Sequence, residues 1–129
     1  MIVIDGKNAI LGRLAAYSAK EALKGEEIAV INCEKIIITG NRQDILQDFE
    51  AKRKRVGSTL KGPKVSRTSE KIVKRAIRGM LPNYRKGRGR DALKRIKCYK
   101  GVPKEFEASK KISMEKTINK GIKVEEISK

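Results

Sequence analysis

The chain of 129 residues contains no histidine and no tryptophan. Without imidazole it lacks the side chain most often used as an acid–base catalyst near neutral pH and the commonest metal ligand. Its acidic residues are scattered among turns and helix faces, with no pair set for acid–base work. There are only two cysteines, Cys33 and Cys98, and they stand 65 positions apart. With no second cysteine or histidine beside either, every familiar zinc spacing is removed, and each reads as a small buried hydrophobe. A thiolate mechanism would have to rely on nearby cations alone. Three tyrosines and two phenylalanines are the only aromatic residues, too few for a sheet that stacks bases. No run approaches the roughly 18 apolar residues of a membrane span. The start, Met1-Ile2-Val3-Ile4-Asp5, has neither the charge nor the apolar core of a signal peptide. The expectation is a soluble intracellular protein with no membrane partner, no metal and no cofactor.

The most informative scarcity is local. Residues 51–100 hold two acidic residues, Glu70 and Asp91, against nineteen Lys and Arg, a net charge of +17. Residues 1–50 are slightly acidic, with six cations against eight acids, and residues 101–129 carry seven against five. Such a field works against compactness through self-repulsion. A solubilising surface mixes both signs, whereas 51–69 and 71–90 contain no acid at all. A polyanion is therefore the expected neighbour. The length supports one real core, so a single domain over 1–129 is expected, with a basic segment at 52–100 and a weakly defined tail at 104–129.

Apolar periodicity organises the rest. Ile2-Val3-Ile4 reads as a strand, Asp5-Gly6-Lys7-Asn8 as a turn with N-cap chemistry, and a helix is predicted from about Ala9 to Leu23. Ile28-Ala29-Val30-Ile31 and Ile36-Ile37-Ile38-Thr39 read as buried strands, so the opening is a βαβ unit with parallel pairing. Gly40-Asn41 leads into a second helix, about Arg42 to Arg55. Val56 to Ser66 has no usable period and reads as a loop. A third helix is predicted over Thr68 to Leu81, with Ile72, Val73, Ala76, Ile77, Met80 and Leu81 as its apolar stripe and Pro82 as its stop. Asn83 to Arg90 reads as a glycine-punctuated basic loop, Asp91 to Arg95 as a short helix, and Ile96 to Tyr99 as the last strand. A short helix from Val124 to Ser128 is the one element predicted in the tail.

Phosphate-binding motifs do not fit. Gly6 to Gly12 is neither G-x-G-x-x-G nor a P-loop. No helix-turn-helix, zinc finger or basic zipper is evident. What remains is a structured RNA recognised through shape and phosphate position. The cations expected to do this are Lys52, Arg53, Lys54 and Arg55 at the end of the second helix and Lys61, Lys64 and Arg67 in the following loop. Lys71, Lys74, Arg75 and Arg78 on the third helix join them, as do Arg85, Lys86, Arg88 and Arg90 in the basic loop and Lys94, Arg95 and Lys97 beyond it. Glycines at 57, 62, 87 and 89 would let backbone amides approach phosphates. Tyr84 stands between stacking on a base and packing, and Tyr99 leans to packing. Both basic loops, having little apolar content, are expected to order only on RNA. Two rivals stay open: an RNA-processing or nucleotide-dependent enzyme using the same surface, and a DNA-compacting protein.

Several blocks carry a family likeness: Ile4 to Ala15, Val30 to Ile36, Thr39-Gly40-Asn41 and Arg78-Gly79-Met80-Leu81-Pro82. In this order they closely resemble the L-thirteen family of large-subunit ribosomal proteins, over about residues 2–103. The absence of the bacterial His-Pro-His turn, with Val102-Pro103-Lys104 in its place, and the extra basic loop at 56–66 resemble the archaeal and eukaryotic branch. The resemblance implies a three-layer α/β/α domain with a four-stranded, mainly parallel sheet and basic loop extensions. It also implies a non-enzymatic, cytoplasmic ribosome component, monomeric there, that binds large-subunit rRNA beside neighbouring ribosomal proteins early in assembly.

Overall fold

The structure, a computed structural model, describes residues 1–55, 66–116 and 120–128. Strand β1 (Ile2–Asp5), helix α1 (Leu11–Leu23) and strand β2 (Ile28–Ile31) form the expected βαβ unit, with Ile2 opposite Ile28 and Asp5 opposite Ile31 in parallel register. All four residues of β2 are buried, as an unbroken apolar run in a parallel sheet requires. The turn into α1 is built differently from expectation. Asn8 takes the left-handed conformation, φ 56°, and Ile10 occupies the N-cap position without a side-chain cap. Asp5 closes the turn instead, its Oδ1 accepting from the Lys7 amide at 3.0 Å and from Asn32 Nδ2 at 2.9 Å. Gly6 is required for space, since a Cβ would lie 2.7 Å from Ile36 Cγ1 and 2.9 Å from the Ile31 carbonyl oxygen.

The chain continues through a 3-10 turn (Cys33–Lys35) to β3 (Ile37–Thr39), α2 (Arg42–Lys54), α3 (Ser69–Gly79), α4 (Gly87–Arg95) and β4 (Ile96–Cys98). A second 3-10 turn (Lys104–Phe106), β5 (Lys111–Ser113), β6 (Gly121–Lys123) and α5 (Val124–Ile127) complete it. The main sheet has the order β4-β2-β1-β5, and every pairing in it is parallel. Two strand expectations are corrected here. Ile37–Thr39 is not in this sheet but pairs antiparallel with β6. The position beside β1 is taken by β5, from the tail, where the Val124 to Ser128 helix is the only predicted element. Lys111-Ile112-Ser113 needs only one covered side, so it lacks the apolar run by which a central strand is read.

Helix α1 packs against both α3 and α4 over one face of the sheet. They bring Leu14, Ala19, Ile72, Val73, Ile77 and Ala92 onto Ile4, Ile28, Val30 and Ile96. On the other face Val3, Ala29 and Ile31 are covered by Phe106, with Tyr99 beside it; the two rings sit 5.5 Å apart. Tyr99 is thus a packing residue. The result is a three-layer α/β/α arrangement, with its second outer layer formed around the 3-10 turn among the described residues. Ile122, Val124 and Ile127 from β6 and α5 join the main core, so the tail is part of the fold.

Two further differences concern the basic region. Met80, expected on the α3 stripe, is 45 % exposed, because it stands at the C-cap past the last helical turn. Helix α4 begins at Gly87 rather than Asp91, so half of the expected basic loop is helical. Of the other expected loop, residues 56–65, with Gly57 and Gly62, lie outside the described residues.

Candidate nucleic-acid interface

Helix α3 buries Ile72, Val73 and Ile77, and the helical period leaves Lys71, Lys74, Arg75 and Arg78 on the remaining arc. Lys71 and Arg75 are exposed, while Lys74 and Arg78 are half-buried. With Ser66 and Leu93 of α4 these four line a cleft of about 280 Å³. A neighbouring hollow of about 190 Å³ shares Ser66, Lys71 and Arg75 and reaches Phe49 and Lys52 of α2. Ser66 and Leu93 carried no signal in sequence, being neutral residues whose place follows only from helix packing.

The α3–α4 turn is tightly built. The Arg78 guanidinium carbon lies 4.5 Å from the centroid of the half-buried Tyr84 ring, and that of Arg85 lies 5.4 Å from it. The Lys86 amide donates to the Asn83 carbonyl at 3.2 Å. Gly89 is buried, and a Cβ there would meet the Pro82 carbonyl oxygen at 1.6 Å. This glycine serves close packing inside the protein, not the approach of a phosphate. Helix α4 then opens with Lys86 at the N-cap giving no side-chain cap and no acid in the first turn, while Arg88 and Arg90 are exposed. Cations at the positive end of a helix cost about 0.3–1 kcal/mol each. That arrangement and the uncapped first amides favour an anion at this end.

The other cations are spread differently. At the end of α2, Lys52 Nζ sits 3.1 Å from Asp48 Oδ2 and 5.3 Å from the Phe49 ring centroid. Lys54 Nζ sits 2.9 Å from Glu50 Oε1, and that hydrogen bond and charge hold the Glu50 carboxyl below its usual range. Arg53 turns inward, its Nη2 donating to the Ile127 carbonyl and its Nε buried without a partner. Burial and then repulsion from Arg67 lower the Arg53 pKa. Arg95 Nη1 donates to the Ala22 carbonyl at 3.0 Å and so caps the end of α1. Lys97 lies in register with Ala29 and faces the Phe106 side of the sheet, away from α3. Arg55, Arg67 and Lys94 are exposed. Lys61 and Lys64 lie outside the described residues. Among the described residues no acid forms an ion pair with Lys71, Lys74, Arg78, Arg88 or Arg90. No group of three or more metal-ligating side chains gathers among those residues either, and no helix is long and apolar enough to cross a membrane.

Fold and surface together define a small α/β protein with a cluster of cations gathered along α3. Residues 1–105 match the family described as ribosomal protein L13. The large ribosomal subunit protein uL13 of Methanocaldococcus jannaschii is 45% identical over 132 residues, covering 100% of this chain and 96% of that protein. The protein of the same name from Methanosarcina barkeri is 47% identical over 115 residues, 88% of this chain and 81% of the relative. That of Methanococcus maripaludis is 51% identical over 106 residues, 80% and 77% respectively. The chain therefore belongs to the ribosomal protein L13 family, a structural and non-enzymatic one, and its archaeal relatives agree with the branch that the missing His-Pro-His turn suggested.

Proposed function

We propose that this protein is a structural constituent of the large ribosomal subunit. It binds the subunit's rRNA directly through the α3–α4 face and supports early subunit assembly. It acts in the cytoplasm as one copy per particle, beside neighbouring ribosomal proteins. The names of its relatives support the particle. The observation that carries RNA binding is the placing of Lys71, Lys74, Arg75 and Arg78 on one arc, continued by the bracketed Tyr84 and the uncapped start of α4. Backbone phosphates arranged by a folded RNA fit such a surface, because each neutralised phosphate releases counterions and each bidentate arginine adds orientation. Arg53 and Arg95 take the lesser share, their guanidinium groups being used within the fold. Large subunits pelleted through a high-salt cushion should retain the protein. Folded rRNA fragments should displace it from an rRNA complex at lower concentration than duplex DNA; equal competition, or full release by salt, would refute the reading.

A further inference from the structure

Two side chains kept 65 positions apart by the sequence meet in the core. Cys98 of β4 lies in register with Val30 of β2. Beyond β2 the chain reverses at Asn32, φ 54°, which brings the Cys33 amide to the Tyr99 carbonyl at 3.2 Å while the Tyr99 amide bonds the Val30 carbonyl at 2.8 Å. Both side chains belong to the same apolar cluster. The Cys33 thiol donates to the Val30 carbonyl at 3.6 Å, the carbonyl of the residue that stands in register with Cys98. Cys33 is buried and Cys98 is half-buried.

We propose that Cys33 and Cys98 form a dithiol pair that closes to an intramolecular disulfide when the protein meets a low-molecular-weight disulfide. Cys98, the thiol that solvent reaches, loses its proton and attacks one sulfur of the oxidant. The oxidant's S–S bond breaks, and one small thiolate leaves and takes up a proton. Cys33 then gives up its proton and attacks the Cys98 sulfur of the mixed disulfide, expelling the second small thiol. Two protein thiols are oxidised and one small disulfide is reduced. The Cys98 contact and burial both push the Cys33 thiol up, which makes the second attack the slow one. The bond closes a ring that contains α2, α3 and α4, so the whole cationic surface is tied at both ends to the C-terminal edge of β2. Cross-linking a loop of that length restricts the unfolded chain strongly.

The test uses the full native chain in oxidised glutathione, followed by intact mass, peptide mapping and melting temperature. The expected result is loss of the mass of two hydrogens, a Cys33–Cys98 cross-linked peptide, and a melting temperature raised by about 10 °C that reverts on reduction. Cys98→Ser should fold and show no shift, and Cys33→Ala should stop at a glutathione adduct on Cys98. Persistence of that adduct in the unsubstituted protein, a disulfide between two copies, closure only after denaturation, or a lowered melting temperature would overturn the proposal.

Discussion

The Arg78 guanidinium carbon stands 4.5 Å from the centroid of the Tyr84 ring, and Arg85 approaches the same ring to 5.4 Å. One aromatic residue thus holds two cations of the proposed RNA face in fixed positions across a helix end and a turn. Cation–π contacts of this kind contribute about 0.5–1 kcal/mol each at exposed sites. Tyr84→Leu should therefore leave the fold intact and weaken binding of an rRNA fragment by roughly three- to tenfold. A double-mutant cycle with Arg78→Ala, read by titration, should show less-than-additive losses. Full additivity would mean that the ring acts independently, for instance by stacking on a base.

Gly89 faces the Pro82 carbonyl with no room for a methyl group. Gly89→Ala requires the α3–α4 turn to open, at a cost of about 3 kcal/mol. Gly12→Ala, on an exposed helical site with nothing within 4 Å, should instead be neutral or stabilise by about 0.5 kcal/mol. Urea unfolding of the two variants distinguishes them; equal stabilities would contradict the packing role of Gly89.

Cations of the RNA face and cations of the fold should separate by salt dependence. Arg75→Ala combined with Arg78→Ala should weaken RNA binding and flatten the log–log salt slope by about 1.5. Arg95→Gln removes the bond to the Ala22 carbonyl and should lower stability by about 2 kcal/mol, with the slope unchanged. Binding isotherms across a salt series, paired with melting curves, check both halves.

The neighbouring Cys98 thiol and burial raise Cys33 above its ordinary value of 9.0. In the unfolded chain the thiol deprotonates near that pH, whereas in the folded chain it keeps its proton. The folded state then binds more protons, so the stability contributed is complete below about pH 9 and is lost progressively as pH rises above it. Under reducing conditions, denaturant unfolding of the unsubstituted protein and Cys33→Ala should diverge in slope above pH 9. Parallel curves would show that the thiol ionises equally in both states.

How much was legible depended on how many residues carried one signal. The βαβ opening could be read because Ile28 to Ile31 must be apolar at every position when both faces are covered, and helix α3 because its stripe repeats over three turns. Ile37 to Thr39 misled for a related reason: its β-branched run marks a strand but says nothing of which sheet receives it. Lys111 to Ser113 was illegible because an edge strand needs few apolar residues. The start of α4 was illegible because Gly87 and Gly89 are loop residues by propensity, and the packing of Gly89 against the Pro82 carbonyl is a contact between turns that no local pattern records.

Sequence alone determined the charge asymmetry, the parallel βαβ opening and the family likeness, since composition, local periodicity and motif order survive without knowledge of distant contacts. Tertiary structure alone decided which cations gather on the α3–α4 face and which, like Arg53 and Arg95, are spent on carbonyls of other elements. It also decided that β5 closes the sheet and that Cys33 meets Cys98. Each of these depends on groups far apart along the chain, brought together only by packing, and no local pattern records such a meeting.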